Sequence, residues 1–444
     1  MTRLTPAPAD LPTRSLPSRA LAGRLRVPGD KSTSHRALML GGLAEGTSRV
    51  SGLLEAGDVM STLAAMRALG ARIEREGGFW RVEGAGRDGL RSPGQALDLG
   101  NAGTGARLLM GLVAGAGLSA DFVGDASLSV RPMERVLGPL RDMGADCASE
   151  SGHMPVRVSG KHPLAPIAFA PPKASAQVKS AILLAGLGAD GTTTVIERTP
   201  TRDNTERMLR AFGVPVREDR RDDGLHVSVD GPAELRATDI DVPGDPSSAA
   251  FAVVAATVVP GSEIVVENVL LDPRRDAWID ALRLMGADIR LEAEREAGGA
   301  RVGDIHVRHA ELSGATIDPG RAPDMIDEYP VLAVAAAFAD GPTVMEGLHE
   351  LRVKESDRLA TTVALLRANG LEVEERDDGM TVHGAGRVPG GGRVATHHDH
   401  RIAMSALVLG MGAENSVEVD DPSPIATSYP GFFEGFEVLG ARFA

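Results

Sequence analysis

The stretch MRALGARI, residues 66–73, decides how the rest of the sequence is read, because it recurs. An apolar helical phrase closes on a glycine and runs into a β-branched or apolar segment. It returns as RDMGADC (141–147), RAFGVPV (210–216), RLMGADI (283–289), RANGLEV (367–373) and EVLGARF (437–443). The six glycines, Gly70, Gly144, Gly213, Gly286, Gly370 and Gly440, stand 74, 69, 73, 84 and 70 residues apart. Regular self-similarity of this period marks a repeat architecture. Each phrase predicts an amphipathic helix that ends on a left-handed glycine, followed by a strand. Capping residues are expected at Asp58, Pro132, Asp203, Asp276, Ser356 and Ser428.

Upstream of these helices lies a second recurring pattern. Nearly all-apolar helices run into a Gly-Ser/Thr turn and a short strand, as in ALMLGGLAEGTSRVSGL (37–53), AILLAGLGADGTTTVIE (181–197) and VLAVAAAFADGPTVMEG (331–347). A helix apolar on every side is buried on every side. Each unit therefore supplies one inner helix, one outer helix and several strands. The six units form two sets of three, because VPGDKSTSHRAL (27–38) and VPGDPSSAAFAV (242–253) repeat one phrase 215 residues apart. The expected domains are 30–242 and, together, 1–29 and 243–444, joined by a two-stranded hinge. Residues 1–20, rich in Pro and Arg, read as a flexible leader. A continuous six-unit solenoid is the alternative that the duplicated hinge phrase disfavours.

Composition narrows the function. Aromatics make up only 3% of the 444 residues, so small aliphatic side chains must build the core. A formal net charge of −14 opposes general affinity for nucleic acid. No apolar run is long enough for a membrane span. One cysteine, Cys147, excludes an intrachain disulfide and suits a reducing cytoplasm.

In this acidic chain the cations gather at equivalent corners of the repeats. The inner helices open on Lys31-Ser32-Thr33-Ser34-His35-Arg36, on Asn101-Ala102-Gly103-Thr104-Gly105 with Arg107, and on Ser175-Ala176-Gln177 with Lys179. The later three open on Asp245-Pro246-Ser247-Ser248, Asp327-Glu328 and His398-Asp399-His400-Arg401. Loops add Arg131, Arg202 and Arg352-Val353-Lys354-Glu355-Ser356-Asp357-Arg358. Buried helix starts expose free N–H groups and positive dipole ends, which attract anions. Two such halves facing each other would form a cleft lined for anions, which implies a substrate with several negative groups. The histidine-rich 397–400 lacks the spacing of a metal site.

Seven segments together resemble the 5-enolpyruvylshikimate-3-phosphate synthase family: PGDKSTSHR (28–36), GNAGTGAR (100–107), RPMERVL (131–137), SAQVKSA (175–181), MIDEYPVLA (325–333), RVKESDRL (352–359) and DHRIAMS (399–405). Their order is the family's, and they span the chain from about Leu21 onward. The resemblance implies an α/β fold of two similar domains, each of three βαβαββ-type repeats around buried parallel helices. It implies transfer of the carboxyvinyl group of phosphoenolpyruvate to the 5-hydroxyl of shikimate 3-phosphate, a step toward the aromatic amino acids. It further implies no metal or organic cofactor, and a cytoplasmic monomer.

By the same resemblance Lys31, Arg131 and Gln177 would hold the phosphoenolpyruvate phosphate, and Arg358 and Arg401 its carboxylate. Ser32 and Arg36 would bind the shikimate side, and Ser175, Ala176 and Arg202 its 3-phosphate. Asn101, Gly103 and Arg107 fall at substrate-binding positions. Asp327 and Lys354 would contact the reacting hydroxyl, with Asp327 as base, Glu355 as proton donor to carbon and Lys31 as a shuttle to the leaving phosphate. Arg202 stands where other members have Tyr, and Ala426-Thr427-Ser428 offers no Lys where many have one. Family members that tolerate the herbicide glyphosate carry Ala at the position of Gly103, so this chain is expected to be more sensitive. The related transferase acting on UDP-N-acetylglucosamine uses a reactive loop cysteine, whereas Cys147 falls on an expected strand. An RNA-end cyclase would need a more basic surface. A non-catalytic repeat scaffold would leave Asp327, Glu355 and their cations unexplained.

Overall fold

The computed structural model describes residues 11–297 and 300–444. The chain divides into two compact units, essentially Gly29–Val242 and the N-terminal segment through Pro28 with Pro243–Arg295 and Arg301–Ala444. Among the described residues each unit contains three inner helices and three four-stranded sheets. In Gly29–Val242 the inner helices are Lys31–Leu43, Gly103–Gly115 and Ala176–Gly186. In the other unit they are Pro246–Val258, Tyr329–Ala337 and His400–Gly412.

All six phrase glycines take the left-handed conformation, with φ of +113°, +96°, +85°, +103°, +86° and +106° in chain order. Each closes an outer helix with a paired-bond turn: Gly70 N donates to Arg67 O (3.1 Å) and Ala71 N to Met66 O (3.0 Å), and the same two bonds recur at the other five. Five of the phrases share a further device. The arginine three residues before the glycine donates across the turn to the carbonyl six positions on: Arg67 to Ile73, Arg141 to Cys147, Arg210 to Val216, Arg283 to Ile289 and Arg367 to Val373. This satisfies a strand carbonyl and places a cation at the negative end of the helix.

The helix starts differ from expectation at several caps. Asp58 lies one residue inside its helix, Gly57–Ala68, and leaves the cap to Ala56. Asp357, not Ser356, caps Arg358–Ala368, accepting from Ala360 N. Gly431, not Ser428, precedes Phe432–Leu439.

Every sheet has one arrangement: a short edge strand parallel to the strand after the inner helix, then two antiparallel strands. In the first repeat Ile240–Asp241 lies parallel to Glu45–Ser51, with Phe79–Ala85 and Arg72–Glu76 beyond. Chain ends complete the pattern elsewhere. Ala22–Leu25 is the edge strand beside Glu263–Leu270. Arg14–Leu16 fills the third place in the sixth sheet, between Val417–Val419 and Arg442–Phe443. The flexible-leader reading is therefore corrected for these residues: Ser15 is buried, and Thr13 and Arg14 donate to the Ala444 carbonyl. The unpaired sheet position attracts the strand despite its polar neighbours. Residues 1–10 of that segment lie outside the described residues.

Small residues let the inner helices touch backbone to backbone. A Cβ added at Gly111 would stand 2.1 Å from the carbonyl oxygen of Ala181, with no side chain able to move aside. Gly111→Ala is therefore expected to destabilise the unit by about 2 kcal/mol despite alanine's better helix propensity. A urea midpoint equal to the parent's would contradict this packing.

Candidate active site

In the unit Gly29–Val242, polar side chains collect at the starts of the inner helices. Asp30, fully buried, caps the first by accepting from Thr33 N and Thr33 Oγ1, both at 2.7 Å. That fixes the turn carrying Lys31, whose Nζ meets Asp58 Oδ2 at 2.5 Å. Below it His35 is shut from water, with Nδ1 2.8 Å from Thr62 Oγ1. Burial, reinforced by Lys31 and Arg36, pushes its pKa down to about 3, so the ring is neutral.

The second and third inner helices meet through Arg107. Its Nη1 donates to Gln177 Oε1 at 2.5 Å, and Gln177 Nε2 donates to Thr104 Oγ1 at 2.9 Å. Arg131 reaches the same corner from its loop, donating to Asn101 Oδ1 at 2.8 Å. Burial, followed by the charges of Arg131 and Arg135, lowers Arg107 to about 10. Gly103 begins its helix at this point. A Cβ there would stand 3.1 Å from Arg131 Nη1 and 3.6 Å from Arg107 Nη1.

Ser175 caps the third inner helix, accepting from Val178 N, with Ala176 its first residue. Arg202 lies half-buried on the irregular segment before helix Asn204–Ala211. Arg36 points inward, donating to Ser32 O (2.9 Å), Thr205 Oγ1 (2.7 Å) and Ser180 Oγ (2.9 Å). Its ordered donors go to the protein, so it braces Ser32 from behind.

In the other unit, carboxylates dominate. Arg358 is 1% exposed and stands at the centre. Its Nε donates to Asp399 Oδ2 at 2.8 Å, its Nη1 to Asp327 Oδ1 at 3.0 Å, and its Nη2 lies 2.6 Å from Glu355 Oε2. Burial opposes its charge, but Glu355, Asp399 and Asp327 outweigh burial and raise its pKa. Glu355 and Asp399 show the converse: burial would raise them, yet Arg358 holds both below the usual carboxylate range. Lys354 Nζ lies 3.3 Å from Asp327 Oδ1. Arg401 donates to the Asp327 carbonyl at 2.7 Å and lies 3.2 Å from Glu328 Oε1.

Two of the three inner helices described in this unit carry their own carboxylate caps. Asp399 caps His400–Gly412 through Arg401 N, and Asp245 caps Pro246–Val258 through Ser247 N. At the position of the absent lysine, Thr427 Oγ1 donates to the Pro424 carbonyl at 2.6 Å.

Asp327, Lys354, Glu355, Arg358 and Arg401 thus form one connected set, and Asn101, Gly103, Arg107, Arg131 and Gln177 another. Lys31 is tied to Asp58. Sequence reading passed over Asp58 and Asp399 as partners.

Cys147 sits buried in strand Asp146–Glu150, its thiol pushed up to about 11 by burial. It is no nucleophile at neutral pH. Among the described residues no group of three potential metal ligands occurs, and no helix is long and apolar enough to cross a membrane.

Six α/β repeats in two units, with polar clusters at the starts of buried helices, agree with the fold that the resemblance implies. The family model for EPSP synthase (3-phosphoshikimate 1-carboxyvinyltransferase) matches residues 16–436. The 3-phosphoshikimate 1-carboxyvinyltransferase of Maricaulis maris is 55% identical over 97% of this chain and 96% of its own length. That of Parvibaculum lavamentivorans is 57% identical over 96% of each. The solved EPSP synthase of Acinetobacter baumannii superimposes with a TM-score of 0.90 at 43% identity, covering 97% of this chain and 99% of that one. The chain belongs to the EPSP synthase family, and so to the transferases.

Proposed function

We propose that the chain transfers the carboxyvinyl group of phosphoenolpyruvate to the 5-hydroxyl of shikimate 3-phosphate, with a division of labour between its two polar sets. The cationic set holds the phosphates. The carboxylate-rich set moves the protons. One observation carries this reading: two guanidiniums, Arg107 and Arg131, converge on Gly103 at a helix start, where the added positive dipole end suits a phosphate.

In this reading Arg131, Gln177 and Lys31 take the phosphoenolpyruvate phosphate, with Asn101 and Arg107 holding them in register. Ser32, braced by Arg36, meets the shikimate ring. Ser175, Ala176 and Arg202 take its 3-phosphate. Arg401 and Arg358 serve the phosphoenolpyruvate carboxylate. Arg358 can do so only as Asp327 or Glu355 loosens its hold, which couples substrate binding to the freeing of both acids.

The addition step forms the bond from the 5-oxygen to C2 while Asp327, steered by Lys354, takes the hydroxyl proton. Glu355 delivers a proton to the methylene carbon. In the elimination step the C2–O bond to phosphate breaks, Lys31 protonates the leaving oxygen, and Glu355 takes back a proton from the methyl group as the double bond reforms. Arg358 holds Glu355 ionised when no substrate is present. The carboxyl must therefore gain its proton on substrate binding, and it then returns to the state the elimination needs. The natural setting is a monomer in the cytoplasm acting on small anionic substrates.

Gly103→Ala tests the phosphate site. The new methyl would press on Arg131, so the KM for phosphoenolpyruvate should rise roughly tenfold. Inhibition by glyphosate should weaken more than that, while the KM for shikimate 3-phosphate stays close to the parent's. Unaltered phosphoenolpyruvate and glyphosate constants would refute this placement of the phosphate.

A further inference from the structure

Beneath the segment that carries Arg202 lie four charged side chains shut off from water: Arg36 (4% exposed), Lys179 (1%), Glu197 (4%) and Glu206 (1%). They come from four elements of one unit, the inner helices Lys31–Leu43 and Ala176–Gly186, the strand Gly191–Glu197 and the outer helix Asn204–Ala211. Lys179 Nζ lies 2.8 Å from Glu197 Oε2 and 2.6 Å from Glu206 Oε1. Arg36 joins through Thr205 and Ser180, whose hydroxyls bond to each other at 2.7 Å. Two cations and two carboxylates leave no net charge.

Stability alone does not account for this set. Buried ion pairs gain little over well-packed apolar side chains of the same volume, because desolvation offsets their attraction. Glu206 is also incompletely satisfied, since its Oε2 has no hydrogen-bond partner, and burial raises its pKa against the pull of Lys179. What the network does beyond neutralising itself is grip one peptide. Glu197 Oε1 accepts both the backbone N–H of Thr201 (3.2 Å) and its hydroxyl. Lys179 Nζ reaches the Thr201 carbonyl at 3.5 Å. Residues 198–203 are neither helix nor strand. Thr201 directly precedes Arg202.

We propose that Lys179, Glu197 and Glu206 are positioning residues that fix the Thr201–Arg202 peptide, and that they thereby set the preference for a phosphorylated over an unphosphorylated acceptor. The inference rests on the reading that Arg202 binds the 3-phosphate. A guanidinium recognises phosphate through a fixed fork, so a small error in its backbone origin is lost affinity. Only the phosphate-dependent part of acceptor binding should suffer.

The test is steady-state kinetics and binding on the full chain, with shikimate 3-phosphate and unphosphorylated shikimate compared. Thr201→Val and Glu197→Gln should each raise the KM for shikimate 3-phosphate about tenfold. The KM for phosphoenolpyruvate and the affinity for shikimate should stay within about twofold, and Thr201→Ser should recover most of the loss. Arg202→Ala, the control, should raise the KM for shikimate 3-phosphate by about a hundredfold. An Arg202→Ala enzyme with a normal KM would overturn the phosphate reading and this inference together. A large Arg202→Ala effect beside unaffected Thr201→Val and Glu197→Gln enzymes would overturn the inference alone. So would equal losses toward phosphoenolpyruvate, shikimate and its phosphate, since the network would then be merely structural.

Discussion

Arg358→Met is expected to abolish turnover and to lower the unfolding free energy of the protein by about 3–5 kcal/mol at pH 7. The methionine would fill most of the space, so the loss is electrostatic. Asp399, fully buried, would keep its negative charge with no guanidinium beside it, and Asp327 and Glu355 would lose the same partner. Against a typical domain stability of about 5–15 kcal/mol this is a large fraction. Arg358→Lys should restore little, because one ammonium cannot reach three carboxylates that approach a planar fork from different sides.

The pH dependence has a definite sign. Asp399 and Glu355 have folded-state values below their ordinary ones, so the stability they contribute is present above the unfolded pKa, about 4. It is lost as pH falls through the folded values. The parent should therefore weaken on acidification below about pH 4, and Arg358→Met should show a flatter curve there. Urea midpoints measured at several pH values would decide it. A variant as stable as the parent at pH 7 would mean that the buried set is not held by Arg358.

Glu355→Gln carries the second large expectation, a fall in kcat of about 10²- to 10⁴-fold with both KM values changed far less. The amide oxygen can still accept from Arg358, so the geometry of the set survives while its titrating group is gone. Because Glu355 both gives and reclaims the methylene proton, the parent should exchange hydrogen between solvent and the methylene of phosphoenolpyruvate during turnover. The variant should lose that exchange in step with kcat. Exchange at the parental rate would assign the proton transfer at carbon to another group.

The parts of this protein that were legible in sequence are those set by local rules. Gly70 and its five counterparts declare a left-handed helix end wherever they stand, and their spacing yields the six repeats. All-apolar runs such as 331–337 declare buried helices. Caps were less secure, because Ser356 and Asp357 are both competent and adjacent, and only the path of the loop selects Asp357. Arg14–Leu16 was misread because its pairing is with Val417 and Arg442, some 400 residues away, and three polar-flanked residues have no periodicity of their own.

The candidate site divides in the same way. Its cations were visible as exceptions in an acidic chain. Their partners were not, since Lys31 with Asp58, Arg107 with Gln177 and Arg358 with Asp399 are contacts between separate helices. The inward turn of Arg36 was hidden for the same reason, as Thr205 lies 169 positions further along the chain.

The most direct measurement of the central claim is phosphate release by the purified full chain, mixed with phosphoenolpyruvate and shikimate 3-phosphate. Release that needs both compounds, and that stops when UDP-N-acetylglucosamine replaces the acceptor, is the predicted result. A folded protein that releases no phosphate from the pair, or releases it from phosphoenolpyruvate alone, would contradict it.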